Sequence, residues 1–129
     1  MIAIDSSSFV AYLEGRHGPD VEATDVALAH QQAALPPAVL TELLSDPGLS
    51  AELRALVVAL PRLDILDGYW ERAGLLRARL LGRKRRARLA DSLIAQSCLD
   101  HDVELVERDG DFTAFAELAG LKLFSTRRR

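Results

Sequence analysis

The sequence contains a single cysteine, Cys98, and only 5% of its residues are aromatic. One thiol cannot form an internal disulfide, which excludes a small secreted domain held together by disulfides. No apolar run approaches the roughly 18 residues that a membrane span needs, and residues 1–5 lack the basic and long apolar segments of a secretory signal. We therefore expect a complete cytoplasmic protein in which Cys98 is a buried thiol.

The chain also lacks the motifs of several enzyme classes. It has no glycine-rich Walker or dinucleotide-binding loop and no Cys and His spacing typical of a zinc site. His17, His30 and His101 share no spacing that indicates a metal site or a catalytic triad. Chemistry built on these motifs is therefore not expected.

The composition is that of a globular protein. Of the 129 residues, 49% are hydrophobic and 27% are charged, which is a balance that permits a buried core. This length predicts one domain, spanning residues 1–129. The formal net charge of −3 argues against a wholly basic nucleic-acid binder.

Basic residues are concentrated in one acid-free segment, which we call the basic strip. It consists of Arg72, Arg77, Arg79, Arg83, Lys84, Arg85, Arg86 and Arg88. The rest of the chain has eight basic and nineteen acidic residues. The strip is either the solvated end of a helix or a contact surface for nucleic acid, and the sequence leaves both open. The terminal Arg127, Arg128 and Arg129 are expected to form a solubilising tail.

Hydrophobic periodicity and turn residues predict alternating strands and helices. Strands are predicted at residues 2–4, 63–66, 104–106 and 122–124. Helices are predicted from Asp5 to Gly15, at 19–34, 38–45 and 52–60 with Ser50 as a cap, from 67 or 68 into the basic strip, and at 89–100 and 112–119. Trp70 is expected in the core or an interface. This order indicates an α/β domain with short, mostly parallel strands and helices on both faces of the sheet.

Acidic residues follow two of the predicted strands. Asp5 comes directly after the first strand, and Asp109 and Asp111 come after Leu105-Val106. Since ligands bind at the carboxyl ends of parallel strands, these acids face one crevice if the strands are neighbours. Asp91, near a helix start, and Glu42, on another helix, are further candidates.

Several carboxylates in one crevice repel one another unless a cation neutralises them. An all-oxygen donor set favours Mg²⁺ or Mn²⁺, and such an ion with few other groups suits phosphodiester hydrolysis. Each acid also has a simpler interpretation: a helix cap at Asp5, a solvated surface residue at Glu42, a helix-dipole partner at Asp91 and a turn at Asp109. The residues taken one at a time do not decide between these interpretations.

Four sequence blocks together resemble the PIN-domain ribonucleases, specifically the VapC toxins of toxin–antitoxin pairs. These blocks are Ile-Asp-Ser-Ser with Asp5, Leu-Pro-Pro-Ala-Val-Leu-Thr-Glu-Leu-Leu with Glu42, Leu-Ala-Asp-Ser-Leu-Ile-Ala with Asp91, and Leu-Val-Glu-Arg-Asp-Gly-Asp-Phe with Asp109 and Asp111. The likeness covers essentially the whole chain. It implies a single PIN-like domain and a metal-dependent endoribonuclease.

The resemblance also implies roles for individual residues. Asp5, Glu42, Asp91 and Asp109 form the acidic site; Asp5, Asp91 and Asp109 hold one or two Mg²⁺ or Mn²⁺ ions, and Asp111 is an accessory ligand. Glu42 acts through a second ion or by positioning the attacking water. Ser7 resembles the small hydroxyl residue that orients the first aspartate. Glu107 departs from the family, which often has Thr or Ser before the Arg-Asp pair.

The partners follow from the same resemblance. RNA is the substrate, with Arg83, Lys84, Arg85, Arg86 and Arg88 as candidate phosphate contacts. A homodimer and a VapB-type antitoxin whose C-terminal segment covers the site are expected, and no membrane is involved. Two alternatives remain open: a housekeeping RNA-processing nuclease with the same site, and a PIN-like module that binds RNA or protein without cleaving.

Overall fold

A three-stranded parallel sheet organises the domain. The structure is a computed structural model and describes residues 1–125, so the predicted tail Arg127–Arg129 lies outside the described residues. Strands β1 (Ile2–Ile4), β2 (Ala33–Ala34) and β3 (Glu104–Val106) lie in the order β2-β1-β3. The α/β class and the parallel sheet are therefore confirmed.

Within residues 1–125, seven helices connect and flank these strands. They are α1 (Ser6–Leu13), α2 (Pro19–Ala29), α3 (Pro37–Leu44), α4 (Ala51–Ala59), α5 (Tyr69–Gly82), α6 (Leu89–His101) and α7 (Thr113–Ala119). The predicted cap at Ser50 is confirmed, since its side chain accepts a hydrogen bond from the Leu53 amide. Over residues 1–125, none of these helices has the length and apolarity needed to cross a membrane.

The predicted helix over residues 19–34 is wrong in its last part. Helix α2 ends at Ala29, and Gln31 turns the chain with a φ of 56°. The next residues form β2, where Ala33 and Ala34 pair with β1 and are buried. Alanine favours helices on its own, but pairing with the central strand overrides that preference here.

The predicted strands at 63–66 and 122–124 are also wrong. Each region contributes only an isolated bridge, between Leu35 and Arg62 and between Leu105 and Leu123. In the first region only Leu63 is buried, whereas Ile65 and Leu66 are exposed. Both regions hydrogen-bond to a neighbouring segment at a single residue, Leu35 in the first and Leu105 in the second, and the pairing does not extend into a strand.

The core lies between the sheet and the helices. Ile4, Phe9, Leu35, Ile94 and Leu105 are completely buried. Cys98, on α6, is also buried, as expected.

Two apolar side chains lie outside this core, contrary to expectation. Helix α5 buries Tyr69, Ala73, Leu76 and Leu80, but Trp70 is 64% exposed, so a core position for Trp70 is wrong. Leu89, which was expected on the apolar face of α6, is 60% exposed. Both residues stand at the first turn of their helices, where the apolar period does not yet fix which side faces the core.

Candidate active site

The carboxyl end of the central strand positions the first aspartate. Asp5 follows β1, and its amide donates a hydrogen bond to the Val106 carbonyl of β3 at 2.9 Å. Its Oδ2 accepts hydrogen bonds from the Ser7 hydroxyl at 2.6 Å and the Ser7 amide at 3.3 Å, which caps α1. Asp5 is only 7% exposed. The cap interpretation is therefore correct, and the same geometry fixes the carboxylate at the sheet edge.

All five candidate acids line a single open pocket of about 590 Å³. They reach it from four parts of the fold: the end of β1, helix α3, helix α6 and the turn after β3. They are Asp5, Glu42, Asp91, Asp109 and Asp111. The parallel order of β1 and β3 brings the first and last of these segments to the same edge, as the sequence predicted.

The pKa values of three carboxyl groups show that this pocket disfavours negative charge. Burial raises the pKa of Asp5, and the charge of Asp109 adds to the effect. Burial also raises the pKa of Glu42, with a further contribution from Asp5. The pKa of Asp91 rises to about 6, mainly by burial; Arg88 opposes this rise, and Asp5 and other acids reinforce it.

Arg88 partly neutralises the pocket from within the chain. Its guanidinium lies 3.1 Å from Asp111 Oδ2 and 3.5 Å from Asp91 Oδ2. The Arg77 side chain donates to the adjacent Ala87 carbonyl at 2.8 Å, which holds the backbone next to Arg88. The structure thus places Arg88 with the acids rather than on a free basic surface.

The donor set suits a hard divalent cation, but the side chains do not form a finished ion cage. The oxygen donors in the acidic part of the pocket are carboxylates and hydroxyls, which are the ligands that Mg²⁺ and Mn²⁺ prefer. Within residues 1–125, no three Asp, Glu, His or Cys side chains stand together as a ready metal site. Unneutralised carboxylates repel one another, which accounts for their separation.

Two residues that the sequence did not single out also shape the site. The Ser6 hydroxyl donates to Glu42 Oε1 at 2.9 Å, which ties α1 to α3. The Arg108 amide donates to the Ser7 hydroxyl at 3.3 Å, and its side chain donates to the His17 carbonyl at 2.7 Å. In the sequence, the run of serines after Asp5 and the arginine directly before Asp109 could have indicated these two residues.

The basic strip divides into paired and free residues. Arg72 forms a bidentate pair with Asp100, and Arg85 lies 2.7 Å from Glu117. Arg83, Lys84 and Arg86 are exposed, and their side chains make no hydrogen bond or ion pair with the described part of the chain. Arg85, Arg86 and Arg88 line a smaller groove that also contains Asp91 and Asp111. Part of the strip therefore borders the acidic pocket.

The raised pKa values predict the pH dependence of stability in the metal-free protein. A carboxyl whose pKa is higher in the folded state binds its proton more tightly there, so stability increases as the pH falls through that pKa. With the pKa of Asp91 near 6 against 3.8 for an ordinary Asp, the free energy of unfolding should rise by about 1–2 kcal/mol from about pH 8 to pH 5. Urea unfolding in EDTA measures this.

Asp91→Asn should flatten most of that pH dependence, because it removes the carboxyl group whose pKa burial raises to about 6. Asp25→Asn, an exposed residue of α2, is the matched control and should retain the wild-type slope. A wild-type stability that falls over this pH range would contradict the electrostatic description of the pocket.

Comparison with known proteins agrees with this architecture. The PIN domain family model matches residues 2–118. No curated protein shows significant sequence similarity to the chain.

Solved structures share the fold at low sequence identity. A VapBC-5 toxin–antitoxin structure from Mycobacterium tuberculosis has a TM-score of 0.66 at 20% identity and covers 97% of this chain and 98% of that chain. VapBC2 from Rickettsia felis, bound to a DNA fragment from its promoter, has a TM-score of 0.70 at 21% identity and covers 96% of this chain and 98% of that chain. FitAcB from Neisseria gonorrhoeae has a TM-score of 0.69 at 17% identity and covers 97% of each chain. The fold and the family match together show that this chain belongs to the PIN domain family.

Proposed function

We propose that this protein is a Mg²⁺- or Mn²⁺-dependent endoribonuclease that acts in the cytoplasm as the toxin of a VapBC-type pair. The observation that carries the proposal is the convergence of Asp5, Glu42, Asp91 and Asp109 on one pocket of a PIN domain. Burial in this pocket raises the pKa values of Asp5, Glu42 and Asp91, and the charges of neighbouring acids add to the effect. Such a concentration of negative charge is unfavourable for folding, so a functional reason is required.

Each acidic residue has a role in this proposal. Asp5, Asp91 and Asp109 hold the ion, with Asp111 as an accessory ligand. When bound, the ion supplies positive charge to the phosphate and makes water more acidic. Glu42 positions the attacking water through its carboxylate, which the Ser6 hydroxyl holds. Ser7 orients Asp5 in the same way.

Arg88 has a different role in the metal-free and metal-loaded protein. In the metal-free chain it neutralises Asp91 and Asp111. Once those carboxylates bind an ion, the guanidinium becomes available to an RNA phosphate at the groove that Arg85 and Arg86 also line.

The proposed partners are a VapB-type antitoxin and a second copy of the chain. Support for the antitoxin comes from the similar structures, which belong to VapBC and FitAcB assemblies. The pocket itself combines acids with an apolar wall of Val10, Leu13, Leu49 and Leu53. A partner segment that carries an arginine and apolar side chains would fill both parts.

Induced expression in a bacterial host tests the proposal. Wild-type protein should arrest growth and produce discrete RNA fragments, whereas Asp5→Asn at equal soluble expression should do neither. Co-expression of a small reading frame encoded next to this gene should restore growth if the pair is a toxin and its antitoxin. Cleavage without growth arrest would favour a housekeeping RNA-processing nuclease.

One observation favours a second function, a PIN-like module that binds RNA without cleaving it. The described carboxylates do not form a ready metal site. Purified protein that binds mixed RNA but leaves it intact in Mn²⁺ would support this alternative and overturn the nuclease proposal.

The free residues of the basic strip predict the salt dependence of RNA binding. Neutralising Arg83 and Arg86 together, as Arg83→Gln with Arg86→Gln, should remove two phosphate contacts. The slope of log K against log salt should then become shallower by about 1.4 for single-stranded RNA. Filter binding over a salt series measures this, and Arg62→Gln, outside the strip, is the control. An unchanged slope would return the strip to the solvated-helix interpretation.

A further inference from the structure

A cavity that shares Glu42 with the acidic pocket carries an exposed aromatic ring. Trp70, the only tryptophan in the chain, begins helix α5 and is 64% exposed. It lines a cavity of about 280 Å³ whose walls are mainly apolar: Pro37, Ala38, Ala90 and Leu93. An exposed tryptophan in such a cavity is unusual for a surface helix and calls for a ligand with a flat apolar face.

This cavity adjoins the acidic pocket. Glu42 lines both cavities, and Ala90 precedes Asp91 in the chain. The groove lined by Arg85 and Arg86 also shares residues with the acidic pocket. The acidic pocket therefore adjoins both a positively charged groove and an aromatic cavity, which suits the phosphates and bases of a nucleic-acid strand.

The tryptophan ring is held in place by its neighbour. Tyr69 is buried, and its hydroxyl donates to the Leu93 carbonyl at 2.7 Å. The Trp70 ring packs edge-on against Tyr69, with ring centroids 4.9 Å apart and planes at 77°. A ring that is held by one neighbour and is 64% exposed loses little conformational freedom when a flat ligand stacks on it.

We propose that Trp70 is a base-stacking residue that holds a nucleobase of the RNA next to the acidic site. The inference rests on the proposed ribonuclease function and adds a positioning residue to it. The stacked base fixes the register of the strand, so that one phosphodiester group lies over the carboxylates while the neighbouring phosphate faces the basic groove.

The single tryptophan makes the proposal directly measurable by fluorescence. In EDTA, a mixed-sequence single-stranded RNA should quench the emission of Trp70, whereas an abasic ribose-phosphate oligomer of the same length should not. Quenching by both oligomers would show phosphate binding without stacking and would overturn the proposal. Emission that depends on protein concentration but not on RNA would mean that a second copy covers Trp70, and it would also overturn it.

Kinetics with the same RNA in Mn²⁺ provide the second readout. Trp70→Ala should raise KM by about 5- to 150-fold with kcat little changed, and Trp70→Phe should recover most of the loss. Leu75→Ala, at a 71% exposed position of the same helix, is the matched control. Wild-type cleavage with an unaltered KM in Trp70→Ala would refute stacking and leave the nuclease proposal standing. Absence of wild-type cleavage would instead refute the nuclease proposal.

Discussion

Replacing Asp5 with asparagine should reduce metal-dependent RNA cleavage by at least about a hundredfold while the protein remains folded. Asp5 is the most deeply buried of the five acids, and the Ser7 hydroxyl fixes its Oδ2 at the carboxyl end of β1. An amide keeps the size of the side chain but loses the negative charge that attracts an ion. The activity loss therefore reports charge and not shape.

Stability should not follow activity in this variant. The pKa of Asp5 is raised, so its ionised form opposes folding at neutral pH. Asparagine removes that cost and still caps α1, because its side-chain oxygen can accept from the Ser7 amide. Thermal unfolding should show a Tm equal to or above that of the wild type, and Asp25→Asn should match the wild type in both assays. Undiminished cleavage by Asp5→Asn would remove Asp5 from the site.

A divalent ion should stabilise the wild-type protein, and Asp91→Asn should abolish most of this effect. An ion that binds only the folded state at 100 times its Kd adds about 2.7 kcal/mol to the free energy of unfolding. Asp91 is central to this effect, because the charges of Asp5, Asp111 and Glu42 all act on it. Urea unfolding in Mn²⁺ and in EDTA measures the difference.

Direct binding separates ion capture from indirect stabilisation. The electron paramagnetic resonance signal of free Mn²⁺ should decrease when wild-type protein is added and change little with Asp91→Asn. Asp64→Asn is the control, because Asp64 is exposed and does not line the acidic pocket; this variant should behave as the wild type. Equal Mn²⁺ stabilisation of wild type and Asp91→Asn would place the ion away from these acids.

The sequence predicted the parts of the fold whose local and tertiary preferences agree. Strands β1 and β3 are short apolar runs followed by acids and turns, and both were predicted with the observed bounds. Strand β2 consists of Ala33 and Ala34, whose helical preference gives no sign of pairing with β1. The apolar run at 63–66 resembles a strand in sequence, but its pairing with Leu35 stops after one bridge, and the sequence does not show where pairing ends.

The sequence predicted which acids meet in the pocket, but not which side chains pair with them. Strand ends and a helix start made Asp5, Asp91, Asp109 and Asp111 candidates, Glu42 was a further one within a helix, and the resemblance to PIN-domain ribonucleases grouped the acids as a site; all five line the pocket. The position of Arg88 was not predictable, because a run of arginines does not reveal which one turns toward Asp91 and Asp111. The same limit applies to Trp70, since the helical period of α5 places it beside the core without showing that its ring faces solvent.

The central claim is that the acids of this pocket form an ion-dependent ribonuclease site. The most direct test incubates purified wild-type protein with mixed single-stranded RNA under three conditions. The first contains Mn²⁺, the second contains EDTA, and the third contains EDTA with an excess of Mn²⁺. We predict discrete fragments in the first and third conditions and intact RNA in the second. Intact RNA in all three conditions, or cleavage that EDTA does not stop, would contradict the claim.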